Sequence, residues 1–245
     1  MTCNMISRVF QNMIYCRNNG IRHNNRGYES ALERQILNYV DKPVSMRNNF
    51  VIKTFYNKDF KYFDSTKAFL EDIEYFKRKI ILKPFIVNEV NRFKSKFDEN
   101  TVSVHIRTWH STTNRVTNDK AAERRSVNKN VVFEKIYKLM DEHIVKNPNV
   151  NFFVAIDDFS YKEKIKERYI NVIFYVPNSR FTNVQNDFIE LLLLGRTSEL
   201  IGNAASTFTI WAWRLRDHSV SKKVTVLSHI NGEISYSGDV SNLKI

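Results

Sequence analysis

Thr101–His110, TVSVHIRTWH, is the stretch on which the fold turns. Val102, Val104 and Ile106 alternate with polar residues, which is how a short core strand reads, and the strand runs into a polar loop without glycine or proline. In an open α/β sheet, ligands bind just beyond the carboxyl ends of the strands. His105 and Arg107 reach that edge together. A guanidinium offers a fork of donors matched to phosphate oxygens, so an anionic ligand fits there. Both residues also have plainer uses: Arg107 can pair with a carboxylate, and His105 can be a core histidine with satisfied ring nitrogens.

Downstream of this strand the pattern is regular. A long charged loop, Thr108–Asn130, carries Asp119, Lys120, Glu123, Arg124 and Arg125; loops of this length are usually functional or disordered, and this one follows the ligand edge. The spacing then predicts a helix over Val131–Lys146, with Val132, Ile136, Leu139, Met140 and Ile144 inward, and an apolar strand over Phe152–Ile156 ending in Asp157 and Asp158. Helix Tyr161–Tyr169, strand Val172–Val176, helix Asp187–Arg196, strand Leu200–Gly202, helix Ser206–Leu215 and strand Lys223–Leu227 follow, and Gly232–Ile245 reads as an arm or edge hairpin. Apolar strands alternating with helices imply an α/β fold with a parallel sheet covered on both faces.

Upstream the chain is harder to read. Met1–Asn49 is rich in asparagine and arginine, with helical spacing over Ile6–Arg17 and Ser30–Tyr39, and Phe50–Tyr56 has a strand pattern. Asp64 or Ser65 can cap a helix bearing Phe69, Ile73, Phe76 and Ile80 on one face, and a further helix spans about Ile86–Phe97.

With 245 residues the chain can bury roughly 70–75% of its unfolded surface, so it needs no covalent staples. Cys3 and Cys16 are its two cysteines, and their spacing suits neither a disulfide scaffold nor a zinc site. No run approaches the roughly 20 apolar residues of a membrane span, and Met1–Gln11 lacks the basic start and apolar core of a secretory signal. A soluble, cytoplasmic chain is expected. The net charge of +12 suits phosphorylated ligands and is compatible with peripheral contact with anionic surfaces. Nucleic acid is not expected as a partner, because the aromatics follow core periodicity and form no stacking platform.

Three loops gather at the carboxyl edge, following Arg107, Ile156 and Gly202. Ser206 and Thr207 stand where a strand turns into a helix, so their hydroxyls and nearby amides can face an anion at the positive helix end, or simply cap the helix. Asp157 and Asp158 can grip ribose or base hydroxyls, bind a metal or cap the next helix, and Asp187 has the same range of uses. HExxH, GxSxG, a Walker loop and GxGxxG are all absent from the sequence, which argues against protease, esterase, P-loop and dinucleotide-dependent dehydrogenase chemistry.

Taken together, VSVHIRTWH, NFFVAIDD and NDFIELLLLGRTSELIGNAASTFTIWAWRL resemble the donor half of the fucosyltransferases that share a GT-B fold, the α-1,2, α-1,6 and protein O-fucosyl groups. Those families show H-x-R-R or H-x-R at a strand end, an acidic pair after the next strand, and an N-S-T-F-S-W-W-like turn into a helix. The resemblance covers about Thr101–Leu215. Asn4–Gln11, NMISRVFQ, is faintly similar to the G-N-x-x-F-Q start of the α-1,2 group, without its preceding strand and glycines, and Lys53–Leu82 is similar to the segment before the H-x-R strand. The resemblance therefore implies a GT-B-like fold in three parts: a divergent, reduced acceptor lobe over 1–100, a Rossmann-like nucleotide-sugar-binding domain over 101–230, and a C-terminal arm over 231–245.

The resemblance also implies a function. It is that of an inverting glycosyltransferase moving fucose from GDP-fucose to a glycan hydroxyl, with no cofactor and no metal. Arg107 would bind the diphosphate and stabilise the leaving nucleotide, His105 would position nucleotide or sugar, and Asp187, with Asp157 and Asp158, would contact base or ribose. Ser206, Thr207 and Phe208 would form the phosphate-binding turn. The second arginine of H-x-R-R is Thr108 here, and the acidic residue often found two positions later is His110. His110, Asp119 and Glu123 are therefore the candidates for the base that takes the acceptor proton. The lost arginine keeps two other readings open: another nucleotide sugar as donor, and a non-catalytic basic module that binds glycan or nucleotide.

Overall fold

The structure is a computed structural model describing residues 6, 10, 36, 67–107, 129–158, 160–203, 206–228 and 232–237. The expected helices over Ile6–Arg17 and Ser30–Tyr39 lie outside these residues except for Ile6, Phe10 and Ile36, which are helical and buried. The strand Phe50–Tyr56 and the caps Asp64 and Ser65 also lie outside, as does most of the loop Thr108–Asn130. The chain divides into two compact units. The first comprises Met1–Asn91, Pro177–Ile189 and Val240–Ile245, and the second comprises Arg92–Val176 and Glu190–Asp239.

In the first unit, α1 (Lys67–Lys79) buries Ile73 and Phe76, one helical turn apart, and the ring of Phe10 meets Phe76 edge-on at 5.3 Å. Helix α2 (Pro84–Lys94) opens with proline at its first position, where a missing N–H costs nothing. Arg92 and Lys94, already in the second unit, lie in its last turn, the favourable end of the helix dipole for cations.

The second unit holds the sheet. Its elements are β1 (Thr101–Ile106), α3 (Lys129–Lys146), β2 (Asn151–Ile156), α4 (Ser160–Arg168) and β3 (Val172–Phe174). They are followed by the end of α5 (Asn183–Leu194), β4 (Glu199–Asn203), α6 (Thr207–Arg214), β5 (Lys223–Ser228) and β6 (Gly232–Ser237). The strand order is β3-β2-β1-β4-β5-β6, parallel throughout except for β6, which runs antiparallel to β5. The α/β class and the parallel sheet are thus as the sequence implies, and Gly232–Ser237 is the edge strand of a hairpin.

The alternation in β1 has a reason that periodicity does not show. All six residues of β1 are buried. Val102, Val104 and Ile106 join Phe152, Val154 and Ile156 of β2 against Ile136 and Met140 of α3 and Ile165 of α4. Thr101, Ser103 and His105 face the other way into a second covered layer, where Ser103 Oγ accepts a hydrogen bond of 2.8 Å from Thr197 Oγ1. Polar residues occupy that face because polar partners await them. On this side Phe93 and Phe97 close over Phe153 at 5.8 and 5.0 Å between ring centroids.

Several boundaries and one buried face differ from the sequence reading. Strand β3 ends at Phe174, because β2 offers its last partner there, Val154, and Val176 is exposed. Ile144, expected on the inner side of α3, is exposed, and Phe133 is buried instead. Helix α5 begins at Asn183, four residues before Asp187. A capping box sets that start: Thr182 N–H donates to Gln185 Oε1 at 2.8 Å and Gln185 N–H returns to Thr182 Oγ1 at 3.3 Å. No helix among the described residues is long and apolar enough to cross a membrane.

Candidate functional site

The strand order locates the site before any side chain is considered. From β1 the chain passes to β2 and β3 on one side, while β4 and β5 lie on the other. The crevice outside the carboxyl ends of β1 and β4 is therefore the switch point where open α/β sheets take ligands. The two strands are paired up to His105 and Gly202, so Arg107 and Asn203 emerge beside each other at that edge.

Asn203, the last residue of β4, joins the two strand ends: its Oδ1 accepts the backbone N–H of Arg107 at 2.6 Å. Its own carbonyl accepts from Ser206 N–H at 3.1 Å, which folds the chain back into α6. Ser206 is the N-cap of α6, and its hydroxyl accepts from Phe208 N–H at 3.3 Å, a long bond that a better acceptor can replace. The start of α6 thus presents its amides and positive dipole end beside Arg107.

Gly202 is what lets α6 come this close. A Cβ at that position would stand 2.6 Å from both Cγ2 and Oγ1 of Thr209, nearer than van der Waals contact allows. The contact puts Thr209 Oγ1 2.7 Å from Nδ1 of His105, and the imidazole stacks on Phe208 with ring centroids 5.0 Å apart. Burial lowers the His105 pKa to about 3, and the neighbouring Arg107 guanidinium acts in the same direction. At neutral pH His105 is an uncharged, oriented ring. It is ill suited to be the base.

Arg107 has a partner: its Nη1 stands 2.8 Å from Asp157 Oδ2. The arginine side chain is 41% exposed and the aspartate 17%, so the pair is partly hydrated and its attraction is modest. A phosphate can displace such a carboxylate. Asp158, by contrast, caps: its Oδ1 accepts from Ser160 N–H at 3.1 Å and from Ser160 Oγ–H at 2.6 Å, at the start of α4. Of the two acids after β2, Asp157 lies at Arg107 and Asp158 holds a helix.

The other expected site residues have the following places. Asp187 is exposed in the second turn of α5 and belongs to the first unit, so it does not stand at a helix mouth. Thr207 is the first residue of α6 and half-buried. Thr108, His110, Asp119 and Glu123 lie outside the described residues. Sequence reasoning passed over Asn203, Thr209 and Gly202, although a glycine ending a strand before a helix signals close backbone approach. A shallow hollow on the outer face of α3, lined by Tyr137, Asp141, Val145 and Arg168, is distinct from this edge; its walls are mostly solvated side chains of one helix.

No family model matches the sequence, and no curated protein matches it. Among solved structures, the chain is similar to NodZ α-1,6-fucosyltransferase soaked with GDP-fucose, with a TM-score of 0.48 and 16% identity over 69% of this chain and 53% of that one. It is similar to the fucosyltransferase NodZ from Bradyrhizobium, with a TM-score of 0.47 and 14% identity over 66% and 50%. A third is POFUT1 in complex with GDP-fucose, with a TM-score of 0.44 and 18% identity over 66% and 49%. The chain spans about half the length of each of these structures, and its likeness to them is one of fold.

Proposed function

We propose that the sheet unit binds a nucleoside diphosphate sugar outside the carboxyl ends of β1 and β4, and that the chain is a fucosyltransferase-like glycosyltransferase. The observation that carries this reading is the meeting of Arg107, the neutral His105 and the start of α6 at the switch point of the sheet. Each suits a diphosphate: a guanidinium fork, an oriented ring and a set of helix-end amides. The donor proposed is GDP-fucose, on the motif resemblance, and the acceptor is a glycan hydroxyl.

In the proposed reaction the acceptor oxygen attacks the anomeric carbon from the face opposite the diphosphate. A new C–O bond forms as the bond to the diphosphate breaks, the electron pair leaves with GDP, and configuration inverts. Negative charge grows on the diphosphate during this step, so Arg107 and the helix end bind the transition state more strongly than the ground state. They take the charge that a metal carries in other transferases. The acceptor proton goes to a base outside the described residues, for which His110, Asp119 and Glu123 are the candidates.

A second reading is favoured by one observation: Arg107 already has Asp157 as its partner, and Thr108 stands where the family pattern has another arginine. A basic module that binds nucleotide or glycan without transferring sugar fits that weaker cation set. Calorimetric titration with GDP, GDP-fucose, GDP-mannose, UDP-glucose and a dTDP-sugar separates the readings, followed by sugar release from whichever donor binds. Binding of guanine nucleotides alone, weakened about 10- to 100-fold in Arg107→Ala, with turnover of GDP-fucose, is the expected result. Preference for another nucleotide replaces the donor, binding without turnover favours the module, and no binding at all ends the nucleotide reading.

A further inference from the structure

Asn203 has no exposed surface, and its Nδ2 has no hydrogen-bond partner among the described residues. The amide cannot be turned over to remove this orphan. Its Oδ1 accepts the backbone N–H of Arg107 at 2.6 Å, and exchanging the two atoms would set a donor against a donor. The nitrogen is therefore held where it is by the strand junction. Natural cores seldom leave such a donor buried and unpaired without reason.

Three features tied to this amide favour an anion: the Arg107 backbone it clamps, the guanidinium that follows, and the α6 turn that its carbonyl anchors through Ser206. We propose that Asn203 is a ligand-binding residue, whose Oδ1 fixes the end of β1 and whose Nδ2 donates to a phosphate oxygen of the bound nucleoside diphosphate. The inference rests on the nucleotide reading of the site and adds to it a neutral donor with two tasks. Nucleoside without phosphate gains nothing from this group.

Asn203→Asp tests the two tasks separately. The carboxylate still accepts from Arg107 N–H, so the bond at the strand junction is kept, while the donor is replaced by an acceptor that repels phosphate. Titrations of wild type and variant with GDP and with guanosine should show GDP binding weakened at least about tenfold and guanosine binding unchanged. Equal GDP affinity in the two proteins overturns the role of Asn203 and leaves the nucleotide reading standing, whereas failure of wild type to bind GDP removes that reading and this one with it. Should the variant not fold, wild type carrying isotope-labelled asparagine decides by magnetic resonance. One protected side-chain amide pair should shift with GDP and not with guanosine, and GDP binding that moves no such pair overturns the proposal.

Discussion

Nδ1 of His105 and Oγ1 of Thr209 stand 2.7 Å apart, and the helix that carries Thr209 reaches this distance only because residue 202 has no side chain. A methyl group on Gly202 would meet Thr209 at 2.6 Å, and Thr209, fully buried, has no space to retreat into. Gly202→Ala is expected to destabilise the chain by about 1–3 kcal/mol in urea unfolding, as overpacked cores do. Adding Thr209→Ala removes the obstructing atoms, so the double variant should recover part of that loss. Strict additivity of the two losses would show that the close approach is not what Gly202 serves.

The neutral state of His105 has a signature in acid. Its folded pKa is about 3 against an ordinary 6.5, so between these values the unfolded chain holds a proton that the folded chain refuses. The contribution to stability is complete above pH 6.5 and is lost progressively as the pH falls toward 3. The loss has a limiting slope of about 1.4 kcal/mol per pH unit. Thermal melts of wild type and His105→Gln should therefore diverge most at neutral pH and converge between pH 6.5 and 4.5. Curves that stay parallel over that window would show that His105 is protonated in the folded chain.

On the proposed nucleotide reading, Asp157 and the diphosphate compete for one guanidinium. The carboxylate sits 2.8 Å from Arg107 Nη1 in a partly hydrated pair, so removing its charge frees the arginine and takes away a repulsion. Asp157→Asn should bind GDP up to about fivefold more tightly, the equivalent of ~1 kcal/mol, with the gain shrinking as salt is raised. Weaker binding would mean that Asp157 aims Arg107 or touches the ligand itself.

The order of strands and helices was legible because each buried strand is a short apolar run between polar turns, and β1, β2 and β4 keep that pattern despite polar insertions. His105 and Arg107 were legible for a related reason: they end such a run. The rest depends on distances along the chain that no local pattern encodes. Asn203 meets Arg107 across 96 residues and Thr209 meets His105 across 104, so both pairings need the sheet to exist first. Asp158 and Ser206 could equally have been caps or ligand contacts from sequence, and only their hydrogen bonds show the caps. The start of α5 was legible in Thr182 and Gln185, whose spacing is that of a capping box, yet the acidic Asp187 drew attention from it.

Glu199 provides a second acid signature, separable from that of His105. It is buried at the opposite end of the strands, where burial alone would raise its pKa. Hydrogen bonds and charge from His143 and Lys223 outweigh this and hold it at about 2. Lys223 Nζ lies 2.9 Å from Oε1, and Thr225 Oγ1 donates to the same oxygen at 2.9 Å. A depressed carboxylate stabilises the fold above its unfolded pKa of 4.5, and this contribution is lost as pH falls through 2. Glu199→Gln keeps an acceptor for Thr225 but leaves Lys223 and His143 without their anion, and should cost about 1–3 kcal/mol at neutral pH. Measured in a His105→Gln background, so that only one acid-sensitive group differs, the stability gap between glutamate and glutamine should hold constant down to pH 4.5 and narrow below it. A gap that narrows between pH 6.5 and 4.5 instead would place the titration on another group and remove Glu199 as the anchor of that end of the sheet.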